Sequence, residues 1–201
     1  MQIKVEARWF GDVFVVVPEV FQDSRGFFTE TFRADQFKAL GLPTEFVQDN
    51  HSRSAKGVVR GLHFQWDPPM GKVMRVTAGS AFLVAVDIRK GSPSLGKWVG
   101  VEATTENRRQ VWAPAGFARG FCALAEGTEI QYKCTGIYNN QGESAILWND
   151  PAIGIQWPLA AVSVSDKDRN AMTLAEWLRS PDSDNFFYSD QEAELSLRGN
   201  R

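Results

Sequence analysis

Histidine is scarce in this chain: there are two in 201 residues, His51 and His63. Cysteine is as scarce, with Cys122 and Cys134 alone. The metal sites of small β-barrels draw on two or three imidazoles close in sequence plus a carboxylate. Two histidines twelve residues apart do not supply that, so a metal enzyme is not expected. Two cysteines in a chain with no export signal read as free core thiols. No apolar run approaches the roughly 18 residues that span a bilayer, and the charged N-terminus has no apolar signal region; a cytoplasmic location is expected. A formal net charge of −2 lacks the basic excess that nucleic-acid binding calls for. The remaining composition, 43% hydrophobic and 23% charged, is that of an ordinary soluble domain.

Short apolar stretches separated by turn residues dominate the rest. Val13–Val17 ends at Pro18, and Phe27–Phe32 follows Asp23-Ser24-Arg25-Gly26. Further stretches are Val58–Gln65, Lys72–Thr77, Ala81–Ile88, Trp98–Ala103, Gln110–Ala113, Phe117–Leu124, Ile130–Thr135 and Ala145–Trp148, most of them divided by glycine or proline. Many short strands at near-regular spacing predict an all-β, antiparallel sandwich or barrel in one domain over 1–201. Two short helices are expected, Ala34–Ala39 and Thr173–Leu178. From about residue 182 the chain turns polar and charged, which predicts a loosely held tail. Ala81–Val86 is apolar at every position, the pattern of a strand covered on both faces. In Glu129–Cys134 the alternation places Ile130, Tyr132 and Cys134 on one face, pointing Tyr132 inward.

His63 is the natural proton carrier, because imidazole alone has an unperturbed pKa near neutrality. It lies in Arg60-Gly61-Leu62-His63-Phe64-Gln65, shortly before Lys72. In a regular strand Arg60 and His63 would face opposite sides. Gly61 between them is where a bulge would bring both to one side. His51 reads as structural, and the seven tryptophans as core and interface residues.

Several motifs occur in a shared order: Asp23–Phe28 with Glu30, Gln48-Asp49-Asn50-His51-Ser52, Arg60–Gln65, Gly91-Ser92-Pro93 with Gly96-Lys97-Trp98, Pro114–Ala118, Tyr132-Lys133-Cys134, Trp148–Pro151 with Trp157-Pro158, and Ser165–Asp168. In these the chain resembles the dTDP-4-dehydrorhamnose 3,5-epimerase family over about Val13 to Leu174. The resemblance implies a cupin-like jelly roll and inversion at C3, C5 or both of a nucleotide-linked 4-keto-6-deoxyhexose through an enolate. Such chemistry needs a base, a group facing the enolate oxygen, and an acid on the opposite face. By resemblance His63 is the base, Tyr132 the acid, Lys72 the oxyanion group and Asp168 the partner that fixes His63. It also implies a nucleotide-sugar substrate held by Arg25, Arg60 and Lys167 at the diphosphate, by Glu30, Gln48, Asn50 and Glu143, and by Tyr138 stacked on the base. A homodimer whose sites take residues from both copies is implied as well, and the chemistry implied by the resemblance requires no cofactor or metal.

Two positions depart from the family's pattern, which has histidine where this chain has Arg119 and aspartate where it has Leu83. Both fall on strands expected to line the pocket, and Arg119 joins the candidate substrate-binding residues. An arginine stays charged and only donates, so the departures bear on which carbons are inverted. A single-carbon epimerase, a ketoisomerase and a non-catalytic sugar-nucleotide module are the competing expectations.

Overall fold

The computed structural model describes residues 1–160 and 162–188. The N-terminal strands are β1 (Ile3–Trp9), β2 (Val13–Pro18), β3 (Val20–Asp23) and β4 (Gly26–Thr29), followed by helix α1 (Ala34–Ala39). The central strands are β5 (Gln48–Ser54), β6 (Val58–Gln65), β7 (Lys72–Ala78), β8 (Ser80–Asp87) and β9 (Trp98–Thr104). Next come β10 (Gln110–Ala113), β11 (Phe117–Ala123), β12 (Thr128–Cys134), β13 (Glu143–Ala145) and β14 (Ser163–Val164). Helices α2 (Asp166–Arg169) and α3 (Leu174–Arg179) close the described chain, with a 3-10 turn over Pro181–Phe186.

Two antiparallel sheets face each other, as the spacing of short strands predicts. One runs β1-β2-β10-β7-β12-β5 and the other β13-β6-β11-β8-β9, with β14 added in parallel to β6. β3 and β4 form a separate hairpin. The arrangement is a cupin-like jelly roll.

Burial follows the strand parity. Between the sheets, Val13, Val15, Met74 and Ile130 of the first meet Leu83, Ala85, Val101 and Phe121 of the second. Behind the second sheet Val84 and Val86 pack with Phe64, Leu174, Trp177 and Phe186. β8 is therefore covered on both faces, which is why Ala81–Val86 is apolar throughout. Behind the first sheet, Val16, Val73 and Trp112 are covered by Phe37 of α1 and by Leu42.

Both expected helices form. α1 has the expected limits, and Gly41 after it adopts φ +74°, a left-handed position that glycine takes without steric cost. α3 begins one residue later than expected because Thr173 is its cap: the Thr173 hydroxyl accepts from the Glu176 N–H, and the Glu176 carboxylate accepts from the Thr173 N–H.

The expectation of a loose tail from about 182 needs correcting for its first residues. Phe186 is 6% exposed in the core behind the second sheet, and the Phe186 carbonyl and Tyr188 N–H bond to Lys90. The polar composition of 182–185 concealed one aromatic anchor, whose burial outweighs the preference of its neighbours for water. Residues 189–201 lie outside the described residues. Among the described residues no helix is long and apolar enough to cross a membrane.

Trp177 holds α3 to the second sheet. It is 1% exposed, stacks edge-on against Phe64 at 4.5 Å between centroids, and donates from its indole to the Ile88 carbonyl at 3.2 Å. Trp177→Ala leaves a cavity and an unpaired carbonyl, and is expected to cost about 3–5 kcal/mol, read as a lowered midpoint in urea unfolding.

Candidate active site

The site begins with a disruption of strand pairing. Along β6 and β11, Arg119 pairs with His63 and Phe121 with Arg60, so two steps on β11 match three on β6. This is the bulge expected at Gly61. Arg119 and Phe121 share a face, and Arg60 and His63 are thereby brought to that face too. Glycine is required on both strands: a Cβ on Gly61, at φ +134°, would lie 2.6 Å from the Gly120 Cα, and one on Gly120 would lie 2.6 Å from the Arg60 carbonyl oxygen. The Gly61–Leu62 peptide is cis.

His63 Nε2 lies 2.6 Å from Asp168 Oδ1. The acceptor carboxylate places the ring proton on Nε2 and leaves the Nδ1 lone pair free. The imidazole is 36% exposed and the carboxyl 4%, so one is open to a ligand while the other is sealed behind it. Asp168 is set by its helix: the Ser165 hydroxyl caps α2 by accepting from the Asp168 N–H, and Asp168 Oδ2 accepts from the Gly61 N–H at 3.3 Å. Burial pushes this carboxyl up, but His63 and the Gly61 and Ser165 bonds outweigh it and hold it below its ordinary value. The bulge glycine and the His63 partner are thus joined directly.

Across the lumen stand Tyr132 and Lys72. Tyr132 packs against the inter-sheet core, as its parity predicts, with Asn50 opposite it on β5. Burial raises its phenol, Cys134 adds to this, and Asn50, Arg60 and Arg119 act the other way. The Lys72 ammonium sits 5.1 Å from the Tyr132 ring centroid. Burial first, and then the charge of Arg119, lower Lys72 to about 8. Arg119 is 3% exposed and donates to the carbonyls of Ala113, Pro114 and Met70. Its burial lowers it to about 10, so it remains a cation at neutral pH. Leu83, by contrast, is fully buried in the apolar core. Among the described residues no group of three histidine, cysteine, aspartate or glutamate side chains converges as a metal site would require.

Polar residues continue from the lumen toward its rim. Gln48 donates to Asn50 at 3.0 Å and accepts from the Tyr138 N–H at 2.8 Å. Arg60 donates to the Ser54 hydroxyl and the Arg53 carbonyl. Lys167 pairs with Glu143 at 2.5 Å, and the Tyr138 hydroxyl approaches the same carboxylate at 3.4 Å.

A model of the family described as dTDP-4-dehydrorhamnose 3,5-epimerase matches residues 9–176, which include every residue of this cluster. The chain belongs to this family. An epimerase of that name from Neisseria gonorrhoeae is 52% identical over 166 residues, 82% of this chain, and the chain spans 51% of that relative. One from Shigella flexneri is 50% identical over 167 residues, 82% of this chain and 92% of the relative. Among solved structures, dTDP-6-deoxy-D-glucose-3,5-epimerase from Legionella pneumophila, in complex with dTDP-4-keto-L-rhamnose, matches with a TM-score of 0.87 at 42% identity, covering 94% of this chain and 100% of that one.

Of the residues expected from the epimerase resemblance, His63, Asp168, Lys72, Tyr132, Arg119, Arg60, Gln48 and Asn50 gather around the lumen, and Glu143, Lys167 and Tyr138 form one cluster at its rim. Arg25 and Glu30 do not join them within the chain. Arg25, with its side chain 88% exposed, pairs with Asp23 on the β3–β4 hairpin, and Glu30 pairs with Arg33. His51 pairs with Glu129 at 3.1 Å and approaches the Thr77 hydroxyl, a structural setting. Sequence reasoning missed the carbonyls that hold Arg119, since any residue supplies a carbonyl. It also passed over Gly120, although a glycine within a strand pattern is a sign of close backbone approach.

Gly120→Ala is expected to force the two strands apart at the bulge and shift His63 against the lumen. Because a displacement near 1 Å can cost about 100-fold, kcat should fall by roughly 10- to 100-fold. Steady-state kinetics on a sugar-nucleotide substrate, with an unfolding curve as control, checks this.

Proposed function

We propose that this protein epimerises a dTDP-linked 4-keto-6-deoxyhexose at carbons flanking the ketone, by acid–base chemistry through an enolate. The observation that carries the reading is the His63–Asp168 pair at 2.6 Å, facing a lumen that holds Lys72, Arg119 and Tyr132. His63 Nδ1 takes the proton from the carbon beside the carbonyl. The C–H electrons become the enolate, whose oxygen is stabilised by the Lys72 ammonium, with Arg119 adding positive charge. Asp168 stabilises the imidazolium that forms. Tyr132 returns a proton to the opposite face, and its raised phenol, protonated at neutral pH, suits an acid. No metal or cofactor enters this scheme.

Arg60 and Lys167 meet the diphosphate, Gln48, Asn50 and Glu143 bond the sugar and base portions, and Tyr138, 56% exposed at the rim, stacks on the base. Arg25 and Glu30 serve the site of a second copy. The β3–β4 hairpin supports this, since Phe21, Phe27 and Phe28 are each more than half exposed, a patch suited to burial in a homodimer. The site of action is the cytoplasm.

The test uses dTDP-4-keto-6-deoxyglucose in deuterated water, with label read at C3 and C5 by NMR. Wild type should incorporate deuterium at one carbon or both, and label at neither returns the chain to a binding module. His63→Asn should abolish incorporation while dTDP still binds. Tyr132→Phe should keep incorporation while net inversion falls; an equal loss of both would make Tyr132 a positioning group.

Dimer-shared sites have their own consequence. Arg25→Ala and His63→Asn homodimers, each impaired, should recover part of the activity when subunits are exchanged by mixing. A mixture no more active than its components would place Arg25 outside the site.

A further inference from the structure

Arg119 and Lys72 form a pair of cations with which no carboxylate pairs among the described residues. The Arg119 guanidinium is held only by backbone: Nη1 donates to the Ala113 and Pro114 carbonyls at 3.0 and 3.2 Å, and Nη2 to the Met70 carbonyl at 2.8 Å. Those carbonyls bracket Lys72. Met70 lies two residues before it, and Ala113 is its cross-strand partner on β10. Arg119 Nε is buried without a partner, and among the described residues the Lys72 ammonium makes no ion pair, lying only against the Tyr132 ring. Another buried arginine shows what this fold does when a guanidinium is structural: Arg89 pairs with Asp87 at 2.8 Å and with Asp12 at 2.9 Å. Among the described residues no carboxylate does this around Arg119.

We propose that Arg119 is a positioning residue that acts through Lys72, holding the backbone on both sides of the lysine and supplying the second, uncompensated positive charge of the lumen. The inference rests on the reading of Lys72 as the group that meets the enolate oxygen. Two like charges in a low-dielectric space each resist the other, and a guanidinium keeps its proton where an ammonium gives its up. The lysine therefore carries the cost of the pairing, and relief comes when an oxyanion forms beside the ammonium. The other groups facing Lys72 do not cancel the push. β12 brings the Tyr132 ring and the Cys134 thiol, the latter raised by burial and so neutral. β13 brings Glu143, already paired with Lys167. β10 brings only Ala113, and β6 contributes His63 and the cationic Arg60 to the same lumen. Lys72 at about 8, with Arg119 the largest charge acting on it, agrees with this geometry. Activity then falls on the alkaline side as the ammonium is lost.

The test follows the Lys72 side chain directly, by NMR of Cε-labelled lysine, beside the pH dependence of kcat. Wild type should show a midpoint near 8 and an alkaline limb in kcat at the same pH. Arg119→Gln, and Arg119→His, which is neutral in that pH range, should move both upward by about one unit. Arg119→Lys, which returns the charge, should stay near wild type. A folded neutral variant that titrates as wild type overturns the proposal, as does Arg119→Lys moving as far as Arg119→Gln, which would assign the effect to packing. A wild-type Lys72 midpoint at the ordinary value of about 10.4 overturns it however the variants fold. Lys72→Arg separates the two readings. If the wild-type alkaline limb survives in it, the role of Lys72 at the oxyanion falls, while an NMR shift in Arg119→Gln would still stand.

Discussion

The close contact between Gly61 and Gly120 is the constraint on which the site depends. Without it β6 and β11 would pair in regular register, and Arg60 and His63 would face opposite sides of the sheet. With it, both reach the lumen while Leu62 and Phe64, between and after them, still point into the apolar layer behind the second sheet. The same turn of backbone presents the Gly61 N–H to Asp168, so the carboxylate that orients His63 is held by the irregularity that exposes His63. One break in strand pairing therefore sets His63, its partner Asp168 and Arg60 together.

The lumen is built at a cost that the rest of the fold offsets. Burying cations without carboxylate partners is unfavourable, and among the described residues Lys72 and Arg119 are held in this way. Carbonyls at strand ends satisfy most of the guanidinium, and the Tyr132 ring offers its face to the ammonium. The apolar layers between and behind the sheets supply the opposing stabilisation. An anion formed in this space meets charge and dipoles already in place, which is the condition for electrostatic stabilisation of an enolate.

Much of this was legible in the residues. The spacing of short apolar runs gives the two-sheet architecture, because period-2 alternation and turn residues are local properties. The inward direction of Tyr132 and the doubly covered β8 follow from the residue pattern alone, and the bulge at Gly61 follows from parity once the resemblance puts Arg60 and His63 in one pocket. Other features were not legible. Phe186 follows the polar run Asp182–Asn185 and stands beside two other aromatics, and only the packing behind the second sheet shows which of them is the buried anchor. Arg25 and Glu30 carry the resemblance as clearly as Arg60 does, yet the chain folds them away from its own His63.

The sequence by itself determined the strand and helix types, the turn positions and the scarcity of metal donors, since these depend on side-chain chemistry and on neighbours a few residues away. The tertiary structure decided which polar groups meet. Asp168 comes to His63 from 105 positions away, and Arg119 binds the Met70 carbonyl across 49. Such pairings depend on how the sheets close over one another, and a backbone carbonyl leaves no trace in residue identity. The charge state of Lys72 was decided there too, because it arises from burial and from a neighbour on a distant strand.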